Sequence, residues 1–195
     1  MWVEGWGEVS GRLIVVSGPS GSGKTTVLRR LLEHPPGGLD LRLSISATTR
    51  PPRPGEIDGR DYRFLSHEEF HADRDAGLFL EHAVYNGNLY GTPLGPTLDA
   101  LRSGVRLLLE IEVQGALQVR ALAPTALFAF IRAPNFAAME RRLLGRGTED
   151  APTLQRRLVR ARQELAEAHW YDVQIVNDQI DRAADDLARA ITAFG

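Results

Sequence analysis

The chain has 195 residues, 43% of them hydrophobic, which suits one domain with a sizeable core. It has no cysteine, which excludes disulfides and thiolate metal sites, and its formal net charge of −2 argues against a dedicated nucleic-acid binder. No apolar run approaches the ~20 residues a membrane helix needs, and the opening MWVEGWGEVSGR lacks the cationic start and apolar stretch of a secretory signal.

Taken in chain order, residues 1–11 carry Trp2 and Trp6, match no motif, and are read as an N-terminal tail. Arg12–Ser17 (RLIVVS) is a short, β-branched apolar run that predicts a buried parallel strand. A Gly/Ser-rich turn follows, and Lys24–His34 places Val27, Leu28, Leu31 and Leu32 on one helical face until Pro35-Pro36-Gly37-Gly38 stops it. Residues 40–65 are rich in Arg, Pro, Gly and Thr, with short alternating pieces at Leu41–Ile45 and Asp61–Leu65. They predict a small, partly antiparallel lobe. Ser66 followed by Glu69 spells a capping box that opens a short helix to about Arg74. Gly87–Gly95, with three glycines and a proline, reads as turn, and Pro96–Arg102 as a helix ended by Gly104. Val105–Val113 and Leu127–Ile131 read as buried strands, Asn135–Leu144 and Thr153–His169 as helices, Val173–Val176 as a strand and Ile180–Phe194 as a closing helix. Strands alternating with helices predict an α/β fold, a parallel sheet flanked by helices.

One motif stands out within this frame. Gly18-Pro19-Ser20-Gly21-Ser22-Gly23-Lys24-Thr25 matches G-x-x-x-x-G-K-[ST] in full, between a predicted strand and a predicted helix. The glycines let backbone N–H groups converge on phosphates, and the helix N-terminus favours negative charge. Lys24 can bridge β- and γ-phosphates, and Thr25 can place its hydroxyl on Mg²⁺. The P-loop fixes ATP and the reaction class but leaves the acceptor open.

The acceptor signal lies in the next lobe. It runs through Ser44-Ile45-Ser46-Ala47-Thr48-Thr49-Arg50-Pro51-Pro52-Arg53-Pro54-Gly55-Glu56, Gly59-Arg60-Asp61-Tyr62, Phe79-Leu80-Glu81, Gly87-Asn88-Leu89-Tyr90-Gly91-Thr92 and Glu110-Ile111-Glu112-Val113-Gln114-Gly115. With these segments in this order, the chain resembles the guanylate kinase family from about Arg12 to Phe194. The resemblance implies a three-layer P-loop core (12–44 and 96–195), a small mixed GMP-binding lobe (about 45–95) and a helical lid (about 136–165). It implies that Ser46, Glu81 and Thr92 recognise guanine, that Arg50, Arg53, Tyr62 and Tyr90 hold the GMP phosphate, and that Glu112 belongs with them. Arg142, Arg146 and Arg157 match the lid arginines, and Asn177 a position near adenine. The activity implied is transfer of the γ-phosphate of ATP to GMP, with dGMP as a further acceptor. Lys24, Arg50, Arg142 and Arg157 would be catalytic and Mg²⁺ the cofactor, in a cytoplasmic monomer or homodimer without nucleic acid or membrane partners.

The residue chemistry points the same way. Guanine presents N1–H and a 2-amino group side by side, and an ionised Glu81 can accept from both, whereas adenine would leave that carboxylate unpaired. Arg50 and Arg53 offer planar forks suited to a phosphate dianion. Taken singly, each of these arginines suits a solvated surface, and each tyrosine a core position with a wet tip. Where the family usually has two aspartates, this chain has Glu110 and Glu112, each one methylene longer. Two other functions stay open at this stage: a non-catalytic guanylate-kinase-like binding module, and a P-loop kinase with another small phosphorylated acceptor. His67-Glu68-Glu69-Phe70-His71 also spells H-E-x-x-H, the zincin motif, and is read as coincidence on a short capped helix.

Overall fold

The computed structural model describes residues 9–144 and 151–195; the tail up to Glu8, and Arg146, lie outside the described residues. The chain divides into two compact units.

The unit built from Ile14–Asp40, Glu110–Val113 and Leu127–Gly195 carries the P-loop. Here β1 (Arg12–Ser17) pairs in parallel with β8 (Leu127–Arg132), Ile14 opposite Leu127 through Ser17 opposite Phe130. On its other side β8 pairs in parallel with β9 (Val173–Val176), Ala129 opposite Val173 through Arg132 opposite Val176. β1 and β8 are buried on both faces, which is why they read as unbroken apolar runs rather than alternating ones. Helix α1 (Lys24–Glu33) buries Val27, Leu28 and Leu31, and α7 (Ile180–Phe194) buries Ala183, Ala184, Leu187 and Ile191. The two helices pack on each other along these faces. Helices α5 (Phe136–Leu144) and α6 (Ala151–Ala166) close on a second cluster of Ala138, Met139, Leu143, Leu158 and Ala161. Asn135 caps α5 by accepting from the Ala138 N–H at 2.8 Å.

The other unit takes Leu41–Leu109 and Gln114–Ala126, with the described part of Met1–Leu13. It contains β2 (Leu41–Leu43), β3 (Ala47–Thr48), β4 (Arg63–Phe64), α2 (His67–Asp75), β5 (Phe79–Tyr85), β6 (Asn88–Pro93), α3 (Leu94–Arg102), β7 (Arg106–Glu110) and α4 (Val113–Leu122). A four-stranded sheet runs in the order β4-β3-β6-β5, antiparallel except for the β3–β4 pair. Phe70 of α2 stacks on Phe79 of β5, ring centroids 4.5 Å apart, and anchors the helix to this sheet. The predicted capping box forms in full: Ser66 Oγ accepts from Glu69 N–H, and the Glu69 carboxylate accepts from Ser66 N–H.

Three elements differ from the sequence reading. The glycine-rich Gly87–Gly95 segment contains strand β6, because Asn86 takes a positive φ of 49° and turns the chain into a hairpin against β5. The apolar run ending at Val113 is not one strand: β7 stops at Glu110 and Val113 opens α4. Leu41–Leu43 pairs in parallel with β7 rather than joining the lobe sheet. Among the described residues no helix is long and apolar enough to cross a membrane.

Candidate active site

The P-loop grows from β1. The strand delivers the chain into the turn, and α1 starts at Lys24. Gly23 caps that helix at φ 86°, a left-handed conformation costly for other residues, and a Cβ there would come within 2.4 Å of Asn177 Nδ2. Lys24 Nζ donates to the carbonyl of Gly18, folding back over its own loop. Thr25 Oγ1 donates to Glu110 Oε1 at 2.6 Å. Arg157 and Arg142 reach the same turn. Arg157, buried in α6, donates from Nη2 to Ser20 Oγ. Arg142 of α5 donates to the carbonyls of Ser22 (3.3 Å) and Asn177 (2.9 Å). Asn177 is buried and donates from Nδ2 to Ser22 O at 2.7 Å. The structure thus gathers Lys24, Thr25, Arg142, Arg157 and Asn177 around one loop, with Lys24 and Arg157 on that loop's own oxygens and Arg142 shared between Ser22 and Asn177.

Sequence reasoning missed Glu164 in this unit. Its carboxylate is buried on α6 and accepts from Arg160 Nε at 2.9 Å, one turn earlier. Burial, followed by the nearby Glu112 carboxylate, pushes its pKa from an ordinary 4.5 up to about 7, against the opposing pull of Arg160 and Lys24. Glu112 lies in this unit with Oε2 buried and, among the described residues, without a hydrogen-bond partner. Between pH 4.5 and 7 folded Glu164 keeps a proton that the unfolded chain releases, so its contribution to stability falls as pH rises and levels off above 7. Glu164→Gln keeps the acceptor for Arg160 and removes that penalty. It is expected to raise the melting temperature at pH 8, by up to about 3 kcal/mol of stability, with the gain shrinking toward pH 5. A difference independent of pH in thermal melts would contradict this.

A second group of the residues named from the sequence gathers on the four-stranded sheet. Glu81 on β5 and Thr92 on β6 stand opposite each other in register, both buried, and Thr92 Oγ1 donates to Glu81 Oε1 at 2.6 Å. Ser46 is half-buried just before β3, its carbonyl accepting from Arg63 N–H. Arg50 follows β3. Its Nη2 lies 2.9 Å from both carboxylate oxygens of Glu56, and its guanidinium sits 5.4 Å from the Tyr62 ring centroid. Tyr90 meets Tyr62 edge-on at 6.2 Å. Glu56, which sequence reasoning left without a role, also accepts from the Arg53 backbone N–H at 2.7 Å. Burial opposes its ionisation, but the Arg53 N–H and the Arg50 guanidinium outweigh that and hold its carboxyl below the usual value. The Arg53 residue is exposed. Ser46, Arg50, Tyr62, Glu81, Tyr90 and Thr92 therefore share one sheet or its margins, whereas Glu112 belongs to the P-loop unit.

The H-E-x-x-H histidines stand on α2 with rings 6.4 Å apart, and among the described residues no group of three or more His, Asp or Glu side chains could hold a metal ion.

Comparison with known proteins matches residues 10–194 to the guanylate kinase family model. The chain is 51% identical over 188 residues to a guanylate kinase of Rubrobacter xylanophilus, covering 95% of this chain and 97% of that one. It is 51% identical over 180 residues to a guanylate kinase of Gloeobacter violaceus, covering 92% and 86%. Among solved structures, the crystal structure of guanylate kinase from Anaplasma phagocytophilum superposes with a TM-score of 0.76 at 32% identity, covering 95% of this chain and 86% of that one.

Proposed function

The chain belongs to the guanylate kinase family, and we propose that it moves the γ-phosphate of ATP onto GMP, and onto dGMP, through the residues described above. The observation that carries this reading is the buried Glu81–Thr92 pair in the same chain as a complete P-loop. A buried carboxylate with one oxygen already held by a threonine is an acceptor fixed in direction, suited to guanine's adjacent N1–H and 2-amino donors. Ser46 supplies a hydroxyl for O6, while the Thr92 hydroxyl stays on Glu81 and fixes its direction. Arg50, Arg53, Tyr62 and Tyr90 hold the GMP phosphate, with Glu56 keeping the Arg50 fork aimed.

An oxygen of the GMP phosphate attacks the γ-phosphorus, that P–O bond forms, and the bond to the β,γ-bridging oxygen breaks to release ADP and GDP. A phosphate dianion is nucleophilic without a general base, so the protein's task is positioning and charge compensation. Lys24, Arg142 and Arg157 exchange their present backbone and hydroxyl partners for oxygens of the triphosphate, and Arg146 joins them. Asn177 braces the loop near the adenine end through Ser22. Thr25 and Glu110 present hydroxyl and carboxylate oxygens 2.6 Å apart, a hard-oxygen pair that fits Mg²⁺. Thr25 and Glu110 would hold the ion there, and when bound it would supply charge neutralisation to the triphosphate. In this reading residues 45–95 form the GMP lobe and 136–165 the lid of a core spanning 12–44 and 96–195. With soluble nucleotides as substrates, the enzyme works in the cytoplasm as a monomer or homodimer, without nucleic acid or membrane.

The test is ADP formation from ATP and Mg²⁺ with GMP, dGMP, AMP, CMP and UMP in parallel. Turnover confined to the two guanine nucleotides is the expected result. Turnover of another monophosphate would overturn the acceptor assignment, and turnover of none would favour an interaction module.

A further inference from the structure

We propose that Gly115 is a specificity-determining position: the absence of a side chain there lets the first turn of α4 seat against Glu81 and hold its carboxylate in the pose that reads guanine. This rests on the reading of Glu81 as the guanine acceptor. Gly115 is buried, and a Cβ built on it would lie 2.1 Å from Glu81 Oε2 and 2.9 Å from Glu81 Cδ. No real Cβ tolerates the first of these distances, so any larger residue must displace the carboxylate or the helix.

The surrounding contacts decide which would yield. One turn along the same helix, Gln118 clamps the next residue of β5 on both backbone groups. Its Oε1 accepts from His82 N–H at 3.2 Å and its Nε2 donates to His82 O at 2.7 Å. Helix and strand are thereby locked together beside Glu81, while Thr92 holds the other carboxylate oxygen at 2.6 Å. The movable part is the Glu81 side chain, the far end of a flexible chain. The first turn of a helix also favours negative charge close to it, which offsets part of the cost of burying this carboxylate. Gly115 does not carry a positive φ, so alanine is compatible with the backbone. Alanine is the better helix former by about 1 kcal/mol. Stability and specificity are thus expected to move in opposite directions, which a merely structural glycine would not produce.

The experiment compares Gly115→Ala with Glu81→Gln, measuring melting temperature, KM for ATP, and kcat/KM for GMP and for inosine monophosphate, which keeps N1–H but lacks the 2-amino group. For Gly115→Ala the expected result is an unchanged or raised melting temperature and an unchanged KM for ATP. Its kcat/KM for GMP should fall about 10- to 100-fold, and its preference for GMP over inosine monophosphate should collapse. If Gly115→Ala keeps wild-type GMP kinetics and preference while Glu81→Gln loses both, the inference is overturned and the role of Glu81 stands. A lowered melting temperature also overturns it, because the helix rather than the carboxylate has then given way. If Glu81→Gln itself leaves GMP kinetics and preference intact, the guanine reading falls and the inference with it.

Discussion

Lys24→Met is expected to lower kcat by about 10³-fold or more while leaving GMP affinity close to wild type. The transferring phosphoryl group carries its charge on oxygens that Lys24 can neutralise, and methionine keeps most of the side-chain length without a donor or a charge. The folded state should tolerate the change. Lys24 is only half-buried, and its ammonium rests on the Gly18 carbonyl, which belongs to the same turn. The proposed GMP residues Ser46, Arg50, Arg53, Tyr62, Glu81, Tyr90 and Thr92 belong to the other compact unit. Single-turnover ADP formation and GMP titration calorimetry separate the two quantities. Retained turnover would remove Lys24 from the chemistry, and lost GMP binding would show that the halves do not act independently.

The features legible in the sequence are those whose physics is local. A P-loop is eight consecutive residues between a strand and a helix, and a capping box is a four-residue pattern; both appear where they were expected. The misread elements depend on partners distant in the chain. Strand β6 hides in a glycine-rich stretch because its ladder comes from β5 and β3, not from its own propensity. The break between β7 and α4 is hidden in a continuous apolar run, since residues on both sides of Glu112 are buried. Among site residues, arginines and tyrosines within motifs could be named, but the acids that hold them could not. Glu56 becomes meaningful only when the turn brings it onto Arg50, and Glu164 only when α6 buries it in the same unit as Lys24 and Glu112. Gly115 was visible as a motif letter, and its consequence depends on a carboxylate 2.1 Å from an atom it does not have.

Glu81→Gln is expected to reduce kcat/KM for GMP by roughly 10²- to 10³-fold with little change in KM for ATP. The substitution is nearly isosteric, so the loss comes from direction and charge rather than packing. Thr92 Oγ1 already donates to one side-chain oxygen at 2.6 Å. A glutamine that keeps this bond must turn its NH₂ to the place of Oε2. That places a donor against the base's own donors, N1–H and the 2-amino group, in a pocket where Glu81 is only 4% exposed. Water cannot relieve the conflict there, and each charged hydrogen bond lost costs about 1.5–3 kcal/mol. Rotating the amide instead lets Thr92 Oγ1 accept from the NH₂ and turns one uncharged oxygen toward the base, a weaker acceptor than the carboxylate, so neither orientation restores the site. Adenine gains little, because it has no 2-amino group and its N1 acceptor would meet one donor only. A variant that keeps wild-type kcat/KM for GMP in steady-state assays would mean that guanine is read elsewhere. The P-loop would then belong to a kinase whose acceptor is recognised mainly through Arg50 and its phosphate.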